Sequence, residues 1–291
     1  MALTAAPTNE RTTAWHLDLL GIPALWNAGI TGAGVRVGLL DSGLARVRGL
    51  DRPGAFEYID TRGSSTTAND SQTGHGTRCA SIVASTDDRA LGIAPDASIV
   101  SFQVTPFGDA VLNLEHALEA IARRGDIDVL LCAFAIASLP LRVVDQIGAL
   151  AAAGIIIVTA AGDSDIPMGF PEDVLQAVSV AGITRDQRAL PSARRGTFIH
   201  VAAPAEDVPA LNPLGDVVPF GDTSAAAAIV AGVAALMMST RTRSRRRELG
   251  ARFRNLVGRT ANPLSGVSPL AVGSGCVNPA GTLKLINEEL R

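Results

Sequence analysis

Apolar, β-branched runs recur along the chain at Val35–Leu40, Ser98–Val104, Ile127–Phe134, Ile155–Ala161 and Ala177–Ala181. They do not alternate apolar with polar positions, which is the pattern of strands covered on both faces. Between them lie stretches with helical spacing, His75–Ala84, Val111–Arg123 and Leu141–Ala153, and later an alanine-rich helix over Ser224–Met238. Alternating segments of these two kinds predict an α/β fold, an open, doubly wound, mainly parallel sheet with helices on both faces. Functional sites in such sheets form at the carboxyl ends of the strands. A polar loop, Thr61–Thr73, and a proline-rich stretch read as irregular, Pro204–Pro219, interrupt the alternation. With no repeat and no linker in view, residues 1–291 read as one domain, with 1–13 as a flexible N-terminal tail.

Hydrophobic residues make up 47% of the 291 and charged residues 18%, which excludes a disordered chain and allows a sizeable core. Aromatics are only 4%, so that core is built from Ala, Val, Leu and Ile. A net charge of −3 gives no overall pull towards nucleic acid or an anionic membrane. Cys79, Cys132 and Cys276 have neither paired nor metal-ligand spacing and read as buried small hydrophobes. The first residues lack the basic stretch and apolar run of a secretory signal. The longest apolar stretches, Ala149–Ala161 and Ala225–Met238, contain glycine or fall short of the ~20 residues that span a bilayer. The expectation is a cytoplasmic protein that binds neither membrane nor nucleic acid.

Three short segments carry chemistry. Val35–Leu40 ends on Asp41-Ser42-Gly43, which puts a carboxylate at the functional edge of the sheet. Gly74-His75-Gly76-Thr77 opens a small-residue helix, and the flanking glycines permit close backbone approach around an accessible ring. Gly221-Asp222-Thr223-Ser224 opens the alanine-rich helix, whose N-terminal amides and positive dipole end suit an oxyanion. His16, His116 and His200 have no comparable context and read as ordinary polar residues.

The order Asp, His, Ser with these neighbours resembles the subtilisin-like serine peptidases, the subtilase family. Gly92-Ile93-Ala94-Pro95, Val201-Ala202-Ala203-Pro204 and Gly273-Ser274-Gly275-Cys276 match further family segments, so the resemblance covers almost the whole chain. It implies the three-layer subtilisin-like fold and a catalytic set of Ser224 as nucleophile, His75 as general base and Asp41 as the group that orients the imidazole. It also implies an oxyanion hole at the Ser224 N–H and at position 163, and a peptide or protein substrate lying along Ala133, Phe134, Ala135, Ala160, Ala161, Gly162 and Thr223. No cofactor is implied. Calcium is common in the family, but the short path from Ser85 through Asp87 and Asp88 to Gly92 leaves out the usual calcium loop and reads as a solvated turn, so no metal site is expected.

The chain also departs from the family pattern. Asp163 stands where subtilases carry an Asn whose amide donates to the oxyanion, and an ionised carboxylate only accepts. Losing that donor in a subtilisin costs about 10²–10³ in kcat. Ala133-Phe134-Ala135-Ile136 replaces a Ser-x-Gly-Gly edge, Asp222 replaces a Gly, and Ala228 replaces a Pro. Arg241, Arg243, Arg245, Arg246 and Arg247, with Arg252 and Arg254, read as a solvated face closing the alanine-rich helix, or else as a docking patch for an acidic partner. The leading expectation is a serine endopeptidase with a restricted peptide or precursor-peptide substrate, its activity attenuated by Asp163. The alternatives are a catalytically silent relative that binds peptide or scaffolds a biosynthetic complex, and a macrocyclase or transpeptidase using the same triad.

Overall fold

Each apolar run of the sequence becomes a strand of one parallel sheet, and the pleat deals its side chains to two separate cores. The computed structural model describes residues 14–59, 70, 73–104, 110–134, 136, 138–163 and 169–290. Residues 1–13 and most of Thr61–Thr73 lie outside this set. In chain order the elements begin with α1 (Trp15–Leu19), α2 (Ile22–Asn27), β1 (Arg36–Asp41), β2 (Phe56–Ile59), α3 (His75–Ala84) and β3 (Ser98–Gln103). There follow α4 (Ala110–Arg124), β4 (Val129–Cys132), α5 (Leu141–Ala152), β5 (Ile156–Ala160), α6 (Gly169–Glu172) and β6 (Val178–Ile183). The chain continues through β7 (Val201–Pro204), β8 (Val208–Leu211), β9 (Val217–Phe220), α7 (Asp222–Ser239), α8 (Arg243–Thr260), α9 (Pro269–Val272) and α10 (Pro279–Glu289).

The seven-stranded sheet has the order β2-β3-β1-β4-β5-β6-β7, and its neighbours are all parallel. On one face Val37, Leu39, Val129, Leu131, Val158 and Val180 pack with α3, α7 and α8. On the other, Leu40, Val100, Phe102, Leu130 and Ile157 pack with α4 and α5. Both faces are dry, which is why the runs show no polar alternation. α7 is buried from Thr223 to Met238. It is long and apolar enough to cross a membrane by length and composition, yet it is the core helix of this domain.

Three expectations need correction. Pro204–Pro219 is not irregular, because it holds the antiparallel pair β8–β9 with Pro209 opposite Pro219. Each strand of this pair has one partner, so a proline can leave the ladder on its open side. The arginine run does not extend α7, because Thr242 is extended and α8 begins at Arg243. Nor is the run uniformly solvated. Arg246 binds the Asp128 carboxylate (2.9 Å) and the carbonyls of Gly34 and Met238 (2.7 and 3.2 Å), so it serves the negative end of α7. Finally, Asp87 is not part of a solvated turn. Its carboxylate is fully covered and takes Arg89 Nε (2.9 Å) and the far guanidinium nitrogen (2.7 Å), which hold it down to about 2.

α8 packs on the turn after α5 through two glycines. A Cβ on Gly250 would lie 1.8 Å from the Gly154 carbonyl oxygen, a backbone atom that cannot turn aside. Gly250→Ala is expected to destabilise the protein by roughly 1–3 kcal/mol, since the clash outweighs the ~1 kcal/mol that alanine gains in a helix. Thermal unfolding of the variant checks this.

Candidate active site

β1 ends on Asp41, and Gly43, at φ 123°, turns the chain away behind it. Asp41 is 2% exposed. It accepts from the Ser42 N–H (2.7 Å) and from His75 Nδ1, which lies 2.8 Å from Oδ1 and 3.0 Å from Oδ2. His75 is the first residue of α3, entered through Gly74 at φ 65°. A Cβ on Gly76 would lie 2.1 Å from the Gly43 carbonyl oxygen, so only glycine lets the helix start reach the end of β1. With Nδ1 donating to Asp41, Nε2 carries the free lone pair of the ring.

Ser224 lies in the first turn of α7 and is 9% exposed. Its hydroxyl donates to the Ala133 carbonyl (3.2 Å) at the end of β4, and this is where the resting side chain is held. Phe220, four residues earlier on β9, sets its ring edge-on against the His75 imidazole (centroids 5.4 Å apart, 81°) and ties the entry of α7 to the histidine. Among the first-turn amides of α7, the Thr223 N–H is taken by Asp163 Oδ1 (2.9 Å), and the Ser224 N–H is left for an oxyanion.

The Asp–His pair thus sits at the carboxyl edge of the sheet and the serine in the first turn of a helix packed against α3, with no hydrogen bond between Ser224 and His75 among the described residues. The Subtilase family model matches residues 32–275. This chain belongs to the subtilase family. Relatives include subtilisin BL of Lederbergia lenta, 25% identical over 232 residues (78% of this chain and 84% of that protein). The M-protease of Shouchella clausii is 25% identical over 235 residues, which are 79% of this chain and 60% of that protein. The matched region is thus about 60% of the length of several of these relatives. Among solved structures, the prenylagaramide maturation protease PagA superposes with a TM-score of 0.75 at 20% identity, covering 91% of this chain and 97% of that one. MycP1 from Mycobacterium smegmatis gives 0.71 at 21% identity, with 96% and 87% covered. The fold is subtilisin-like.

Within this subtilase frame, both Asp163 oxygens act as acceptors and offer an oxyanion no N–H. Its Oδ1 takes the Thr223 N–H and its Oδ2 takes the Thr223 hydroxyl (2.8 Å), while that hydroxyl accepts from the Gly162 N–H (3.0 Å). The single hydroxyl proton of Thr223 fits an ionised Asp163, so the residue acts as a clamp on the start of α7. Burial is the largest influence on this carboxyl and raises its pKa, and the Thr223 hydrogen bonds pull the other way. The residues expected along the substrate are buried or half-buried where they are described. Ala133, Ala160, Ala161 and Thr223 are 0–3% exposed, and Gly162 is buried with its N–H engaged. Their side chains belong to the core or the clamp. Phe134 is half-buried and stacks on Phe170 (5.6 Å), while Ala135 lies outside the described residues. His200, as expected, is not part of the site, and its Nε2 donates to the Arg254 carbonyl.

Sequence reasoning missed three residues of this subtilase site. Asp70, 3% exposed, accepts from the Ser42 hydroxyl (2.6 Å), the Thr77 hydroxyl (2.6 Å) and the Thr77 N–H (2.7 Å), and Ser42 Oγ accepts from the Gly76 N–H (3.0 Å). This network fastens β1 to α3 behind the Asp41–His75 pair. Phe220 is the second missed residue. Cys79 is the third, one helical turn after His75, with its sulfur 3.8 Å from Nδ1. A carboxylate oxygen of Asp41, His75 Nδ1 and Cys79 Sγ lie within 4.8 Å of one another, a spacing that could hold a cation. Such a cation would displace the Nδ1–Asp41 hydrogen bond and so oppose the orientation of the imidazole.

His75 is held above the ordinary imidazole range. The Cys79 sulfur as thiolate contributes most, burial opposes it, and the charge and hydrogen bond of Asp41 add to it. Burial pushes the Cys79 thiol itself up to about 11, so near neutrality the sulfur is uncharged and Asp41 keeps the ring basic. Proton abstraction by Nε2 needs the neutral ring, so activity falls as pH drops through the raised value. The charge and hydrogen bond of Asp41 move the acid limb of kcat/KM upward. Asp41→Asn is expected to move the limb down and Cys79→Ala to leave it in place, as a pH–rate profile will show.

For Asp163, Asp163→Asn supplies an N–H donor while its Oδ1 can still accept from Thr223. It is expected to raise kcat/KM near neutral pH about tenfold or more, part of the ~10²–10³ worth of such a donor. Asp163→Ala is expected to cost about 1 kcal/mol of stability as a lost helix cap. Peptide-hydrolysis kinetics and thermal unfolding of the two variants check both.

Proposed function

We propose that this chain is a serine endopeptidase acting on a restricted peptide or precursor-peptide substrate. The observation that carries the reading is the 2.8 Å hydrogen bond from His75 to buried Asp41, together with Ser224 in the first turn of α7, a helix that packs against α3. In the reaction the Ser224 hydroxyl leaves the Ala133 carbonyl, gives its proton to His75 Nε2 and attacks the scissile carbonyl carbon. The new oxyanion lies at the Ser224 N–H and the positive end of α7, and Asp41 stabilises the imidazolium. Collapse of the intermediate returns the proton to the leaving amine and leaves an acyl-enzyme, which water hydrolyses by the same steps.

Restriction of substrate is supported by the edge after β4. The Ile136 carbonyl already accepts from the Phe170 N–H (3.0 Å), and Phe134 is stacked on the Phe170 ring. Less of this edge is free to pair with an extended chain than where glycines stand. Likeness to a solved maturation protease supports, by analogy of fold, a precursor peptide as substrate. A cytoplasmic setting is supported by three buried, unpaired cysteines. A second reading, a peptide-binding relative with little or no turnover, is favoured by one observation: both Asp163 oxygens are committed to Thr223.

A fluorophosphonate probe separates the two. The expected result is covalent labelling of the folded protein above the His75 limb and its abolition in Ser224→Ala. Folded wild-type protein that stays unlabelled at every pH would establish the silent reading. For labelled protein, product mass distinguishes hydrolysis, which adds one water across the cut bond, from transfer to an amine, which does not.

A further inference from the structure

At the opposite edge of the sheet from Ser224, a groove of about 730 Å³ opens between the ends of α4 and α5 and the first turn of α8. Its floor is apolar, with Ile121, Ile127, Leu150 and Ile155. One rim is the start of α8, where Arg243, Arg245, Arg246 and Arg247 crowd the positive end of an 18-residue helix that has no acid in its first turn and no side-chain cap from Thr242. Helix starts favour carboxylates and disfavour cations, so Arg243 and Arg247 add positive charge to an end that is already positive.

The two acids and the helix-end carbonyls that line the groove are already engaged. Asp126 is paired with Arg36 and Arg124, and Asp128 with Arg246 and the Arg36 N–H. Carbonyls at the ends of α4 and α5 are satisfied by turn amides, Ile121 by Gly125 and Ala149, Leu150 and Ala151 by Ala153, Ile155 and Gly154. Arg243 is exposed and reaches only the Gly125 carbonyl, at 3.4 Å, and Arg247 is exposed with no acidic partner among the described residues. Two guanidinium groups and a helix dipole therefore face solvent over an apolar floor.

We propose that this groove docks an acidic peptide segment, its apolar side chains on the Ile and Leu floor and its carboxylates on Arg243, Arg247 and the free amides of α8. Charge complementarity argues for acid. The floor argues for a peptide over a nucleic acid, whose backbone would leave the apolar surface uncovered and whose bases would find no aromatic platform there. The inference stands whether or not Ser224 turns over substrate.

The test is fluorescence anisotropy with a labelled peptide of alternating glutamate and leucine, its glutamine–leucine counterpart and a labelled single-stranded oligonucleotide. The expected result is that the glutamate peptide binds, weakening in high salt. Its affinity should fall about tenfold or more in the Arg243→Glu/Arg247→Glu variant and less in the double alanine variant. Equal binding of the glutamine peptide, tighter binding of the oligonucleotide, unchanged affinity in the charge-reversal variant, or no binding of the glutamate peptide would each overturn the proposal. Matching unfolding temperatures of the variants show that a loss is local.

Discussion

Burying α7 along its whole length is the constraint from which the rest of the site follows. A helix with no polar face can sit only inside a domain, and Ala225–Ala228 keep its first turns thin enough to lie between the sheet and α3. Close contact then has to be permitted on the other side. A Cβ on Gly232 would lie 2.5 Å from Ile93 Cβ, so glycine marks the tightest crossing. Both ends of the helix are fixed independently of its packing, the N-terminus by the Asp163–Thr223–Gly162 clamp and the C-terminus by Arg246. Ser224 is placed by these contacts before any substrate is considered. Pre-paid order of this kind is what lets a nucleophile act without reorganising its surroundings.

The features legible in the sequence were those with local causes. The inner strands announce themselves as unbroken apolar runs because both faces are dry, and His75 stands out because glycines flank it. Edge strands are less visible: β2 is half-buried along its length and has no such run. β8 and β9 were hidden by prolines that a two-stranded ribbon tolerates. The arginines masked α8, whose apolar residues Leu249, Phe253, Leu256 and Val257 lie on one face at helical spacing. What no local pattern gives is a contact across the chain. Asp70 lies 28 residues from Ser42, and Asp163 lies 60 from the Thr223 it clamps. Position 163 stands out from the resemblance alone, but its partner could be read only from the fold.

This last contact sets two demands on the same helix end against each other. The first turn of α7 carries partial positive charge and a few free amides, and either a fixed carboxylate or a transient oxyanion can use them. Where an asparagine serves the oxyanion, the helix start is left to the reaction. Here Asp163 takes the Thr223 N–H permanently, and Asp222, in the left-handed region at φ 62° and receiving the Ser192 hydroxyl, adds a second acid beside it. Both favour the folded helix, and both raise the energy of a negative charge forming near the Ser224 N–H.

The backbone at Asp222 shows which side of that balance the fold has taken. A positive φ suits glycine best, and among other residues Asp and Asn tolerate it best. An acid here gives up some backbone ease in return for charge at the positive helix end. The acids at 163 and 222 therefore work in the same direction, towards a firmly held helix start and a weaker electrostatic drive for acyl transfer. A peptidase built this way depends more on exact placement of its substrate, because positioning has to supply what the oxyanion site gives up.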